Sequence, residues 1–119
     1  MRADKNLLSG STTLLVLSLL CAGDKYGYEM ISELEERSDH TFTLKEGTLY
    51  PILHTLEKEG AVKSYEQEAP TGRRRKYYHI TRKGFRLLDE KKAEWRVFSE
   101  KVNAIVAGAP AEPMTTDRR

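Results

Sequence analysis

The sequence predicts a mostly helical fold that carries one small β-hairpin and ends in a long helix. Three observations predict it. Apolar residues recur at helical spacing in four stretches, at residues 7–21, 26–37, 45–59 and 82–106. Two short strand-like runs, 61–67 and 76–80, flank a polar loop punctuated by Pro70 and Gly72. In the last stretch Leu88, Trp95, Phe98, Val102 and Ile105 follow at steps of 7, 3, 4 and 3, a heptad seam.

The first helix, 7–21, is apolar over most of its circumference, so it needs cover on more than one side, part of it from a second chain. Its apolar run, 14–22, has nine residues broken by Ser18, far short of the roughly 20 needed to cross a membrane. Arg2 and Lys5 precede it as in a secretory leader, but Leu20 before Cys21 is not the small residue of a lipoprotein signal. The run is read as a buried helix, with no membrane partner expected. Gly23 ends it, and Asp24 is placed to cap a second helix with Tyr28, Ile31 and Leu34 on its inner face. Ser38-Asp39-His40 is a polar turn.

Thr43-x-x-Glu46 fits a capping box, which starts a third helix at about Lys45. Leu49, Ile52, Leu53 and Leu56 form its buried face, and Gly60 ends it. Pro51 lacks the N–H that Gly47 would receive, and its ring crowds that carbonyl. A loosened first turn or a bend is expected, not two helices. Thr81 caps the final helix. Residues 107–119, with Gly108, Pro110 and Pro113 and no aromatic, are expected to be a disordered tail.

A chain of 119 residues with 39% hydrophobic and 32% charged residues is bounded to one domain with a modest core. Its net charge of +2 hides an uneven distribution: from Gly72 to Arg86 there are seven cations and no carboxylate. Cys21 is the lone cysteine, which excludes an internal disulfide and a cysteine-based zinc site and points to a reducing cytoplasm. His40, His54 and His79 share no metal-ligand spacing, and no glycine-rich phosphate loop or Cys-His dyad occurs. No catalytic residue, metal or cofactor is expected.

Three helices, a hairpin and an added helix make a winged helix-turn-helix. The expected divisions are 1–84 for that domain, 85–106 for a dimerisation helix and 107–119 for the tail. Such a fold reads duplex DNA with a helix in the major groove and a cationic flap on the backbone or in the minor groove. The third helix offers Lys45, Thr48, Tyr50 and His54, polar groups for phosphates or base edges; the plainer reading is a solvated face. Its first two turns hold no Arg, Asn or Gln, so direct readout is thin. Arg73, Arg74, Arg75 and Lys76 repel one another at a hairpin tip unless a polyanion arrives. The plainer reading there is a solubilising loop, or a patch for RNA or an anionic membrane. Leu88, Trp95, Phe98, Val102 and Ile105 are expected to pair with a second copy. Trp95 is read either as an anchor of that interface or as a stacking platform for a flat ligand between two chains. Two other classes stay open: a ligand- or protein-binding dimer without DNA binding, and an RNA-binding module.

Taken together, several motifs resemble one family. Tyr26-Gly27-Tyr28-Glu29, Gly47-Thr48-Leu49-Tyr50-Pro51, Leu56-Glu57-x-x-Gly60, Gly72-Arg73-x-Arg75-Lys76-Tyr77-Tyr78 and Ile80-Thr81-x-x-Gly84 are similar to the signature of PadR-type transcriptional regulators. The resemblance covers about residues 7–105. It implies a prokaryotic homodimer, mostly a repressor, of the smaller subfamily with a single C-terminal helix. By the family pattern the recognition-helix positions are Lys45, Thr48, Tyr50, Pro51 and His54, and the wing positions are Arg73, Arg74, Arg75 and Lys76. Some small members bind planar drugs between paired tryptophans, and Trp95 stands at the similar position. A planar aromatic small molecule is therefore a candidate ligand, with Leu14, Phe98 and Ser99 as the expected walls.

Overall fold

The computed structural model describes residues 1–108. The elements run α1 (Lys5–Ser9), α2 (Thr12–Cys21), β1 (Lys25–Tyr26), α3 (Gly27–Arg37), α4 (Glu46–Lys58), β2 (Val62–Glu68), β3 (Arg74–Ile80) and α5 (Arg82–Gly108). The expected tail, 107–119, lies outside the described residues except for Ala107 and Gly108, which end α5.

The single first helix expected over 7–21 is two. Asp4 caps α1 by accepting the Asn6 N–H at 2.7 Å, and Gly10-Ser11 separates it from α2. Buried Thr12 donates its hydroxyl back to the Leu8 carbonyl at 3.0 Å, so the break leaves that polar group satisfied. Val16, Leu17, Leu19 and Leu20 of α2 then enter the core with Met30, Leu34, Leu49, Leu53 and Leu56.

Asp24 does not cap α3. The cap is Tyr26, whose N–H is accepted by the Glu29 carboxylate at 3.3 Å, the reach-back half of a capping box. Of the expected inner face, Leu34 is buried and Ile31 packs against the core, but Tyr28 is 64% exposed and Met30 is buried instead. The capping box expected at Thr43 and Glu46 is also absent, because α4 takes Lys45 as its N-cap with no side-chain bond. Leu44 before the cap and Leu49 in the second turn both join the core, the positions of a hydrophobic staple. Two apolar anchors thus fix where α4 starts. The helix runs unbroken through Pro51 to Lys58, with Leu49, Leu53 and Leu56 buried and Ile52 half-buried.

The sheet has three antiparallel strands in the order β1-β3-β2. The hairpin pairs Val62 with Ile80 through to Glu68 with Arg74, so β3 begins earlier than the expected 76–80. The loop is short: Ala69 N–H bonds to Arg73 O at 2.7 Å, and Gly72 turns the chain at φ +88°. The third strand, β1, pairs Lys25 with Tyr78 and Tyr26 with Tyr77.

At the far end of the hairpin, α4, β2, β3 and α5 meet. Gly60 ends α4 at φ +81°, a left-handed turn that suits glycine. Thr81 Oγ1 lies 2.6 Å from the Gly60 carbonyl and 3.0 Å from that of Ala61, and accepts the Gly84 N–H at 3.1 Å. Thr81 is thus the expected cap of α5. A side chain at Gly84 would overlap the Ala61 carbonyl, so the helix lies directly on the start of β2.

Candidate nucleic-acid interface

α3 and α4 form a helix-turn-helix through the 38–45 segment, in which Asp39 and His40 take positive φ. With Leu49, Leu53 and Leu56 inward, the opposite side of α4 presents Thr48, Pro51 and His54 to solvent, and Lys45 is exposed at the cap. Tyr50 stands apart from these. Its ring lies where a side chain on Gly27 would be, and it is 37% exposed. Burial, followed by the Glu46 charge, pushes its hydroxyl above the usual tyrosine pKa. Tyr50 thus joins α4 to the N-terminus of α3.

The four wing cations, treated alike in the sequence, occupy different surroundings. Arg74 pairs with Glu66 at 3.2 Å, both side chains well exposed. Arg75 is half-buried, with its guanidinium 4.3 Å from the centre of the Tyr26 ring. Lys76 lies 6.0 Å from the Tyr78 ring, the outer limit of a cation–π contact. Arg73, at the turn, has no ion pair among the described residues. The run of cations along the chain hides the carboxylates opposite: Glu68 faces Arg74 and Glu66 faces Lys76 across the hairpin.

The outward face of the sheet is a row of tyrosines. Tyr65 and Tyr77 stack at 5.7 Å, and Tyr77 meets Tyr26 edge-on at 5.5 Å. At its lower end Asp24 accepts the Tyr65 hydroxyl at 2.7 Å and sits 2.8 Å from His79 Nδ1, bridging both wing strands. Desolvation acts to raise the Asp24 pKa, but the Tyr65 and His79 bonds and the His79 charge hold it below the usual carboxylate value. Sequence reasoning missed Asp24, Tyr26, Tyr65 and Tyr77 here. The tyrosines were visible in the sequence only as the close pairs Tyr26/Tyr28 and Tyr77/Tyr78; their alignment depends on the strand register.

The seam residues divide. Leu88 is 2% exposed in the chain's own core, so it is not free to face a second copy, contrary to its expected role in pairing. Trp95, Phe98, Val102 and Ile105 are 48%, 62%, 41% and 77% exposed. Trp95 and Phe98 come together with ring centres 6.0 Å apart. Leu14 instead packs on the core from α2, and the Ser99 hydroxyl is turned onto the Arg96 carbonyl at 3.2 Å. Among the described residues no three His, Cys, Asp or Glu are grouped to hold a metal ion. No described helix is long and apolar enough to cross a membrane.

A helix-turn-helix with a solvated second helix, followed by a cationic hairpin, defines the winged-helix class, a fold of duplex readers. Residues 16–90 match the Transcriptional regulator PadR-like family. A transcriptional regulator from Clostridium thermocellum is 37% identical, with a TM-score of 0.78 over 85% of this chain and 98% of that one. A PadR-like transcriptional regulator from Bacillus cereus is 32% identical, with a TM-score of 0.73 over 85% and 96%. The transcriptional regulator YqjI of Escherichia coli is 27% identical over 84% of this chain, which spans 46% of that protein's length. The chain belongs to the PadR-like family of transcriptional regulators, which are not enzymes.

Proposed function

We propose that this regulator binds double-stranded DNA as a homodimer and represses transcription from a near-palindromic operator. One observation carries the reading. Tyr50 packs against Gly27 and Arg75 covers Tyr26, so the first turns of α4 and the cationic wing converge on adjacent residues. A duplex lying across that junction meets both at once. Lys45, Thr48, Pro51 and His54 face the major groove, and Arg73, Arg74, Arg75 and Lys76 make the wing side of the surface. Two copies joined along Trp95, Phe98, Val102 and Ile105 set their α4 helices into successive major grooves, roughly 34–36 Å apart. The exposure of that apolar stripe supports the pairing.

The test is a fluorescence-anisotropy titration against the chain's own upstream region across a salt series. Affinity should fall steeply with salt, since each phosphate neutralised contributes a log–log slope of about −0.9. Replacing Arg73, Arg74 and Arg75 together with alanine should weaken binding at least tenfold; unchanged affinity would remove the wing from the interface. A transcriptional reporter should rise when the protein is deleted.

The exposed Trp95–Phe98 pair favours one addition: a planar aromatic molecule held between the two copies at Trp95 and changing their angle. Such a ligand changes DNA affinity only by its preference for one dimer form. Quenching of Trp95 fluorescence with no salt-dependent duplex binding would instead favour a ligand- or protein-binding dimer.

A further inference from the structure

We infer that Arg75 positions the wing rather than gripping DNA, and that Tyr26 is its seat. The inference rests on the duplex-binding reading above and assigns different work to residues which that reading groups together. β3 alternates its faces, so Arg75, Tyr77 and His79 share the outward one. On that face Tyr77 is flanked by Tyr65 of β2 and Tyr26 of β1, in register across all three strands. The guanidinium of Arg75 extends the row by lying on the Tyr26 ring at 4.3 Å, well within the range of a cation–π contact. Tyr26 is also the N-cap of α3, and the next residue, Gly27, receives the Tyr50 ring of α4. The contact therefore ties the hairpin to the base of the helix-turn-helix, one residue away from the point where α4 is seated.

Arg73 contrasts with it. It lies in the turn, is exposed and has no ion pair among the described residues, so its charge is free for a phosphate. Arg75 is half-buried and occupied by an aromatic face. A planar guanidinium suits that seat better than an ammonium, which is a compact and strongly hydrated charge. Holding the hairpin still before DNA arrives reduces the ordering cost of binding. Loss of the seat should therefore lower affinity while every phosphate stays neutralised.

The full-length chain and its upstream duplex test this through the salt slope. Arg73→Ala should weaken binding and make the log–log slope shallower by about 0.9 for each phosphate it no longer neutralises. Arg75→Ala should weaken binding about fivefold, the scale of one exposed-to-partly-buried cation–π contact, with the slope unchanged. Arg75→Lys should behave like Arg75→Ala, because the charge is kept but the planar stack is not. Tyr26→Phe keeps the ring and should match the parent chain. Tyr26→Leu should match Arg75→Ala, and the double variant should be no weaker than either single one. Should Tyr26→Leu not fold, judged by circular dichroism, the Lys and Phe variants decide alone. The inference is overturned if Arg75→Ala flattens the slope as Arg73→Ala does, or if Arg75→Lys restores full affinity. An Arg73→Ala variant with no effect on duplex binding counts instead against the duplex-binding reading of the wing.

Discussion

Helix α5 passes through two environments. From Arg82 to Leu88 it lies on the chain's own core, with Gly84 and Leu88 buried. From Asp89 to Gly108 no residue is buried, although Trp95, Phe98, Val102 and Ile105 continue the same seam. The spacing is one pattern, yet only Leu88 is satisfied within the chain, and the other four seam residues are not. Heptad spacing tells which residues share a face; it does not tell what covers the face. Here Leu88 belongs to the fold's own core, and the rest of the seam is exposed, where the proposed pairing would fall.

Substitutions along the seam test that division. The largest effect is expected at Leu88. Leu88→Ala should cost about 2–5 kcal/mol of folding stability, as buried leucines do, and denaturant unfolding would measure it. An effect as small as that of a surface residue would contradict its place in the core. Next comes Trp95→Ala combined with Phe98→Ala. Circular dichroism should show the helix-turn-helix intact, while sedimentation equilibrium should show self-association weakened by about 2 kcal/mol or more, the scale of an aromatic hot spot. Unaltered association would assign the pairing to another surface. The smallest effect sharpens the contrast from outside the seam, where Asp24 braces the wing through Tyr65 and His79. Its carboxyl pKa is lower in the folded chain than the ordinary aspartate value of about 3.9. The stabilisation is therefore full above that ordinary value and is lost as pH falls through the folded one. The melting-temperature difference between the parent chain and Asp24→Asn should be present at pH 6 and shrink in acid; a difference that grows in acid would reverse the sign.

Most of the architecture was legible in the sequence because local signals agreed with tertiary ones. Gly60, Thr81 and the Pro70–Gly72 loop each mark a boundary by a mechanism that works within a few residues. What escaped is what depends on distant partners. A strand of two residues, β1, has no period to detect; it exists because β3 offers an edge. Thr43 fits a capping box on paper, but Leu44 and Leu49 settle the start of α4 by entering the core. Asp24 reads as a helix cap until Tyr65 and His79, some 41 and 55 residues away, arrive as partners. The candidate interface was read less fully than the fold. The cations of the wing were visible as a run, but the sequence could not separate Arg73, which has no ion pair among the described residues, from Arg75, which is seated on an aromatic ring.

The meeting point at Gly60, Ala61, Thr81 and Gly84 has a mechanical consequence. Four elements meet there in close contact: the Thr81 hydroxyl bonds to the carbonyls of Gly60 and Ala61, and Gly84 rests on the Ala61 carbonyl. α5 leaves this joint with 27 residues, a rod of about 40 Å at 1.5 Å per residue. A tilt of about 5° at the joint sweeps the far end of such a rod through roughly 3–4 Å. Run in reverse, we propose that a shift imposed near Val102 or Ile105 would bear on this joint, which α4 and the wing share with α5. Such a joint would turn a displacement at the far end of α5 into a change of aim at α4 and the wing.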